Sequence, residues 1–343
     1  MRKRRINRTP RITIISLFLT VLFAPALWAD VGIRDYPSYR ITRYIWSDNY
    51  YKAVSSADSI VESEPLNPVG YFLLGTIYQT ISEVCRTDRF KDSVVKYLNE
   101  AIELANEREK NDPDNPDWPF ITGASHGYRA LYRALHGNWW GAFNDGFKCR
   151  SHLNHCLELD SSFYDAYVGL GAYHYWSTVK AKDFLWLPFI PDRREQGMTE
   201  IHKAADSGYL ASYNANETLL RIYLTEKRYN ELINLADSLT RSYPYSPYCL
   251  LYYTEGLIGI NQLDEAEEKL RMLRAVWKKS PYFDPFGFYE AELLSAKIYL
   301  QRGDSKTANE IANKIIDDKI PGGSNAFFME TLDKAEALLH SLR

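Results

Sequence analysis

Apolar side chains recur at a spacing of 34 residues in the second half of this 343-residue chain. Three pairs of positions have that spacing, namely Tyr223 and Leu257, Tyr229 and Leu263, and Leu232 and Ala266. A repeat of this length accommodates two helices and a turn, and such a unit buries its apolar face only against the next unit. The spacing therefore predicts a stack of helix pairs.

The chain resembles the tetratricopeptide repeat (TPR) family, whose repeat is a helix–turn–helix of this length. Large side chains stand beside small ones at the positions that carry the resemblance, which are Leu74-Gly75, Tyr78, Leu170-Gly171, Tyr299, Gly303 and Ala308. Glycine and alanine let neighbouring helices approach closely. The resemblance implies an all-α, right-handed, TPR-like helical solenoid in which the first helix of each pair lines a concave groove. Proteins and extended peptides are the usual partners of such repeats.

Turn residues divide the chain after residue 29 into seven helix pairs and a final helix. The predicted pairs span residues 34–64, 68–112, 117–160, 163–209, 212–242, 247–279 and 286–318. A capping helix follows from Ala326 to Leu342. We predict one solenoid over residues 30–343, with N-terminal repeats at 30–112, expanded central repeats at 113–210, regular repeats at 211–325 and the cap at 326–343.

The first 29 residues have the pattern of a secretory signal peptide. Six basic residues precede or begin an apolar run from Ile12 to Ala26, and small residues at Ala24, Ala26 and Ala29 offer cleavage sites. The run is short for a membrane span, so an uncleaved anchor is the second possibility. We therefore expect an exported protein in the periplasm or another extracytoplasmic compartment, with no integral membrane span after signal cleavage.

The charge of the processed chain argues against some partners. Removing residues 1–29 takes away six basic and no acidic residues, which changes the net charge from −3 to −9, with 35 basic against 44 acidic side chains. An acidic chain without a run of Lys and Arg is not expected to bind nucleic acid or anionic lipid head groups.

Cys149, His152 and Cys156 share one predicted helical face and raise the question of a metal site. The repeat register instead places both cysteines where this class has small core residues, and buried cysteine packs as a small apolar side chain. Glu255, Glu290 and Glu292 read as isolated solvent-exposed carboxylates. We predict no catalytic residues, no metal and no cofactor, and the chain is not expected to be an enzyme.

The chain has 14% aromatic residues, more than the core positions of the repeat explain. By resemblance to the TPR family, the groove-facing positions of the first helix correspond here to Asp165, Val168, Ala172 and Tyr175. One repeat earlier they correspond to Arg129 and Arg133. Aromatic and guanidinium groups are good binding anchors. We predict a partner-binding site at Arg129, Arg133, Tyr175, Trp176, Arg193 and Arg194, all bordering one concave pocket. The start of the helix after the central insert adds partial positive charge, which favours an anionic ligand.

The central insert contains an apolar run from Phe184 to Ile190. It is expected to fold back over the solenoid edge, and docking of a partner or peripheral contact with a membrane are the alternatives. The predicted function is that of a non-catalytic exported scaffold that holds a protein or peptide partner. A periplasmic small-solute-binding or transport-accessory protein is the alternative, and a metal-dependent enzyme is the third.

Overall fold

The computed structural model describes residues 32–34, 38–180, 191–318 and 325–341. These residues form fifteen α-helices and no β-strand. The helices are α1 (Ser38–Trp46), α2 (Tyr50–Ser63), α3 (Pro68–Cys85), α4 (Lys91–Asn111), α5 (Asp117–Leu135), α6 (Trp139–Leu159), α7 (Ala166–Lys180), α8 (Arg194–Ser207), α9 (Ser212–Thr225), α10 (Tyr229–Ser242), α11 (Pro247–Gly259), α12 (Leu263–Lys279), α13 (Phe286–Gln301), α14 (Ser305–Asp317) and α15 (Ala326–Ser341). The predicted all-α fold is confirmed.

Each predicted pair contains two helices that pack on each other. The first helices also contact those of the next pair, from α3 and α5 through to α11 and α13. The last helix, α15, packs on both α13 and α14 and covers the end of the stack. The helical solenoid and its capping helix are therefore present. The division into four segments stays a prediction, and the predicted signal peptide lies outside the described residues.

Helices α7 and α8 touch backbone to backbone through two glycines. A Cβ atom added at Gly171 would lie 2.5 Å from the carbonyl oxygen of Gly197, and one added at Gly197 would lie 2.6 Å from the carbonyl oxygen of Gly171. Real Cβ atoms do not approach other atoms so closely, because the repulsion forces the helices apart. This contact holds the start of α8 against the first half of α7.

The four cysteines are buried and free. Cys149 and Cys156 have exposed fractions of 2% and 0%, which confirms that they occupy core positions. A Cβ added at Gly127 would lie 3.1 Å from the Cys149 Sγ atom, so the cysteine fills the space that a glycine on α5 leaves. Burial raises the pKa of Cys149 to about 12, so this thiol stays protonated at neutral pH.

The second helix pair contacts the sixth and seventh pairs directly. Near the C-terminal end of α3, the carbonyl oxygen of Val84 accepts a hydrogen bond from the Trp277 indole at 2.9 Å. The next carbonyl oxygen, that of Cys85, accepts one from the Asp284 amide at 3.1 Å. Arg86 then forms an ion pair with Glu290 of α13, with an Nη2–Oε1 distance of 3.1 Å. Helix pairs that are distant in the sequence thus contact each other directly, whereas in a simple array each repeat contacts only its neighbours.

The expectation that Glu255 and Glu290 are isolated solvent charges is wrong. The Glu290 side chain is 13% exposed and pairs with Arg86, and the Glu255 side chain is 17% exposed and pairs with Lys297 at 2.7 Å. Both carboxylates face other helices of the stack, so each has a cationic partner in place of water. Glu292 is 43% exposed and pairs with Arg274.

Within the described residues, none of the helices has both the length and the apolar character that crossing a bilayer requires.

Candidate functional site

Two of the predicted site residues, Arg129 and Arg133, bind one buried carboxylate. They lie one turn apart on α5 and both contact Asp145 of α6, whose side chain is 1% exposed. The shortest distances are 2.7 Å from Arg129 Nη2 to Asp145 Oδ1 and 2.6 Å from Arg133 Nη1 to Asp145 Oδ2. His126 places its Nδ1 atom 2.9 Å from Asp145 Oδ1. These four side chains, the Asp145 cluster, clamp α6 to α5.

The protonation of Asp145 follows from its partners. Burial by itself raises the pKa of this carboxyl, but hydrogen bonds from Arg129 and His126 and the charges of Arg129 and Arg133 lower it well below its usual range. Asp145 is therefore ionised at all ordinary pH values. The two guanidinium groups are held by this anion, which gives them a structural partner within the chain.

A cavity of about 590 Å³ lies where the end of α7, the start of α8 and the end of α9 meet. The described residues that line it are Tyr175, Thr178, Val179, Asp192, Arg194, Glu195, Thr225 and Glu226. Tyr175 is fully buried in its inner wall, and its hydroxyl donates to Glu226 Oε1 at 3.1 Å. Thr178 Oγ1 accepts a hydrogen bond from the Arg193 amide at 3.2 Å, which fixes the start of α8 against α7. The volume is within the range of small-ligand pockets.

The donor groups around this cavity are already engaged. Arg194 is its one guanidinium among the described lining residues, and it binds Asp192 through Nη2 at 2.6 Å and Nε at 3.0 Å. The hydroxyl of Thr178 donates to the His174 carbonyl oxygen at 2.8 Å, and that of Thr225 to the Arg221 carbonyl oxygen at the same distance. The carboxylates of Glu195 and Glu226 also line the cavity; Glu226 accepts the Tyr175 hydroxyl through Oε1, and its Oε2 atom lies 4.0 Å from Arg228 Nη1. The cavity therefore suits a ligand that supplies hydrogen-bond donors and positive charge.

The structure distributes the six predicted residues between two places. Tyr175 and Arg194 line the cavity together, Arg193 lies at its edge, and Arg129 and Arg133 belong to the Asp145 cluster. Trp176 is half-buried and packs edge-on against Tyr175, with ring centroids 4.9 Å apart. A shared binding role for all six stays a prediction.

Asp165, expected in the groove, caps a helix instead. It is 4% exposed, and its Oδ1 atom accepts hydrogen bonds from the amides of Leu210 and Ala211 at 2.8 Å and 2.7 Å. Ala211 is the N-cap residue of α9 and Leu210 precedes it, so Asp165 holds the turn that leads into this helix. The groove assignment of Asp165 is therefore wrong.

A second group of polar side chains, the inner cluster, consists of Glu83, Glu217, Arg221 and Tyr248. Arg221 Nη2 donates to Glu83 Oε2 at 2.8 Å and to the Tyr248 hydroxyl at 3.2 Å. Burial and the nearby charge of Glu83 raise the pKa of Glu217 to about 8. The cluster ties α3 to α9 and α11.

Sequence reasoning missed Asp145, Glu226 and the inner cluster. One signal was present for Asp145, because His126, Arg129 and Arg133 share a face of α5 at i, i+3 and i+7, and a stripe of cationic groups against a neighbouring helix requires an anion. Glu83 and Arg221 are 138 positions apart, and no local pattern brings them together.

No group of three or more His, Cys, Asp or Glu side chains with metal-binding geometry occurs among the residues that the structure describes. Of the proposed metal ligands, Cys149 packs in the core, and the rings of His152 and His126 stack with centroids 6.1 Å apart.

No protein-family model matches the chain, and no curated protein matches it either. Two solved structures are similar to it. A tetratricopeptide repeat protein from Parabacteroides merdae ATCC 43184 is 14% identical, with 87% of this chain and 99% of that chain covered and a TM-score of 0.38. Yeast Tom70 is 12% identical, with coverage of 88% and 81% and a TM-score of 0.37. Likenesses at this level carry no argument about the site or its ligand.

Proposed function

We propose that this chain is an exported, non-catalytic binding protein of the tetratricopeptide type that holds a cationic segment of a partner protein in the cavity between α7, α8 and α9. The class assignment is supported by the 34-residue spacing and by the seven helix pairs with their capping helix. The single observation that carries the binding proposal is the acceptor-rich lining of the cavity.

The lining decides the chemistry of the partner. Three carboxylates, those of Asp192, Glu195 and Glu226, line the cavity with one guanidinium, that of Arg194, which binds Asp192. A second guanidinium, that of Arg228, lies 4.0 Å from Glu226 outside the lining, so the acidic groups still outnumber the basic ones. A lysine or arginine side chain satisfies the remaining carboxylates, while its aliphatic part can contact Val179. The sequence-based expectation of an anionic ligand rested on the arginines and on the partial positive charge at the start of α8. This proposal departs from it because Arg194 binds Asp192 and because Glu195 and Glu226 add acidic groups to the lining.

Export is the second part of the proposal and is supported by the sequence of residues 1–29. It is tested by N-terminal sequencing of the protein recovered from the cell envelope. The expected N-terminus lies close to Leu27 or Asp30. A chain that begins at Met1 in the cytoplasm contradicts this part and leaves the cavity assignment unaffected.

The binding part is tested with two acetylated and amidated hexapeptides that differ only in a central Lys or Glu. Isothermal titration calorimetry is expected to show saturable binding of the Lys peptide and at least about tenfold weaker binding of the Glu peptide, since tenfold corresponds to the loss of one modest charge-assisted contact. A free diamine serves as a third probe. Preference for the diamine over the Lys peptide supports the small-solute alternative, and preference for the Glu peptide contradicts the proposal.

A further inference from the structure

Exposed aromatic side chains are concentrated on the first half of α6. Trp139, Trp140, Phe143 and Phe147 are 54%, 83%, 53% and 46% exposed. Twelve large hydrophobic side chains are exposed among the described residues, and these four fall within nine consecutive positions. Isolated exposed hydrophobic residues are normal in soluble proteins, but contiguous apolar patches mark interaction surfaces.

Trp140, Phe143 and Phe147 form a continuous row of rings with Tyr173 of α7. These four side chains and Trp139, which precedes them on α6, are the aromatic face. Ring centroids are 6.4 Å apart for Trp140 and Phe143, 5.0 Å for Phe143 and Phe147, and 6.1 Å for Phe147 and Tyr173. The opposite side of α6 buries Asp145, Cys149, Leu153 and Cys156. The helix therefore has a complete core face and, on its other side, an apolar row that no described helix covers.

Cationic side chains flank the aromatic face. The Lys180 Nζ atom lies 4.1 Å from the Trp139 ring centroid, and the Arg150 guanidinium carbon lies 5.8 Å from that of Tyr173. Lys148 follows Phe147 in the sequence and is exposed. The one carboxylate between Trp139 and Arg150 is Asp145, which is buried and neutralised by two arginines. In an otherwise acidic chain, this surface is locally positive.

We infer that the aromatic face binds the surface of an anionic phospholipid membrane. Tryptophan and tyrosine rings partition into the boundary between headgroups and acyl chains, and lysine and arginine beside them contact lipid phosphates. The match is in charge as well as in apolar character, because only an anionic surface attracts the flanking cations. A row of rings standing out from one helix can enter that boundary without a receptor groove. The apolar run at 184–190 lies outside the described residues and is not part of the proposed surface.

The proposal is tested by co-sedimentation with vesicles, using protein that lacks residues 1–31. Residues 32–343 form a compact unit of their own, and the apolar N-terminal run would otherwise bind lipid itself. Vesicles of phosphatidylcholine alone are compared with vesicles that contain about 30% phosphatidylglycerol, at roughly 50 mM and 500 mM salt. Binding is expected on the anionic vesicles and is expected to weaken at the higher salt concentration.

Two double variants separate the apolar and the electrostatic contributions. Trp140→Ala with Phe143→Ala is expected to lower the partition coefficient on anionic vesicles at least about tenfold, because it removes two of the inserting rings. Lys148→Glu with Lys180→Glu is expected to remove the preference for anionic over neutral vesicles. The control, Tyr51→Ala with Tyr245→Ala, removes two rings of comparable exposure elsewhere and is expected to bind as the unchanged protein does.

Thermal unfolding checks each variant. Trp140→Gln, which removes the ring without adding charge, replaces the alanine variant if that variant unfolds early, since the Trp140 side chain is 83% exposed. Absence of vesicle binding by the unchanged protein overturns the inference. An equal loss in the Tyr51 and Tyr245 control also overturns it. So does a finding that the aromatic face mediates self-association, or binding of a protein, with no affinity for lipid.

Discussion

The indole N–H of Trp277 donates a hydrogen bond to the carbonyl oxygen of Val84 across 193 positions of sequence. Val84 stands in the last turn of α3, where carbonyl groups have no partner within the helix. A side chain from the sixth helix pair thus completes the end of a helix in the second pair. This bond links an early helix pair to a late one. We therefore expect the second and sixth helix pairs not to unfold independently of each other.

Trp277→Phe is expected to lower the free energy of unfolding by about 1–3 kcal/mol, because the Val84 carbonyl group is left buried without a donor. Trp277 is 1% exposed, so water cannot replace the indole at low cost. Chemical denaturation followed by circular dichroism measures the change. Trp140→Phe, at an exposed position, is the matched control and is expected to change the free energy by less than about 0.5 kcal/mol. Equal effects of the two substitutions would show that the indole hydrogen bond contributes nothing.

Asp145→Asn is expected to destabilise the protein by about 3 kcal/mol or more, because it removes the anion that neutralises Arg129 and Arg133. Its depressed pKa means that the stability it contributes is present at pH values above the normal range of an aspartate and is lost as the pH falls through its folded value. Asp264→Asn, the control, removes a fully exposed partner of Arg302 and is expected to leave the stability almost unchanged.

Charge reversal at Arg133 and at Arg194 separates structure from binding. Arg133→Glu is expected to lower the thermal midpoint and to leave the affinity for the Lys peptide within about twofold, since Arg133 contacts Asp145. Arg194→Glu adds negative charge to the cavity and is expected to strengthen binding of that peptide. Loss of peptide binding in Arg133→Glu, with an unchanged midpoint, would restore the original assignment of this arginine to the site.

Glu217→Gln is expected to stabilise the protein at alkaline pH. The folded pKa of Glu217 is raised from 4.5 to about 8, so the stability linked to its protonated form is present below the unfolded pKa and is lost as the pH rises through the folded value. Glutamine does not titrate. The thermal midpoint of the variant should equal that of the unchanged protein near pH 4 and exceed it by at least about 2 °C near pH 9. The exposed control Glu268→Gln is expected to show no such divergence, and a constant offset at all pH values contradicts the assignment.

Cys156→Ala is expected to cost only about 1–2 kcal/mol, because alanine fits the small core position and leaves a small void. Cys156→Leu is expected to cost more, since the position has no room for two further methyl groups. Denaturant titration of both variants decides the order. Stoichiometric zinc in the unchanged protein, lost together with folding in the alanine variant, would instead support the metal site.

The helix pairs could be predicted from the sequence because their signals are local. Glycine at Gly75 and Gly171 lies opposite large side chains, Leu98 and Ile201, as the pairing of large with small residues indicates. The capping helix could also be predicted from the sequence, since its apolar residues recur at helical spacing.

The closure of the stack and the polarity of the cavity could not be predicted in this way. Arg86 pairs with Glu290 across 204 positions, and neither residue has a local partner that marks it. The pairing of Arg194 with Asp192, two residues before it, was not expected from the sequence, and neither was the presence of Glu226 in the lining. Pairing of charges depends on side-chain geometry, which residue spacing alone does not specify.

The most direct test of the binding proposal is titration of the Lys hexapeptide into the protein carrying Glu195→Gln and Glu226→Gln. Glutamine keeps an acceptor for the Tyr175 hydroxyl and removes both charges, so the fold should persist while affinity falls at least about tenfold. The control, Glu292→Gln with Glu268→Gln, removes two exposed carboxylates on α13 and α12 and is expected to bind as the unchanged protein does. Equal affinity of the cavity variant and the unchanged protein contradicts the proposal.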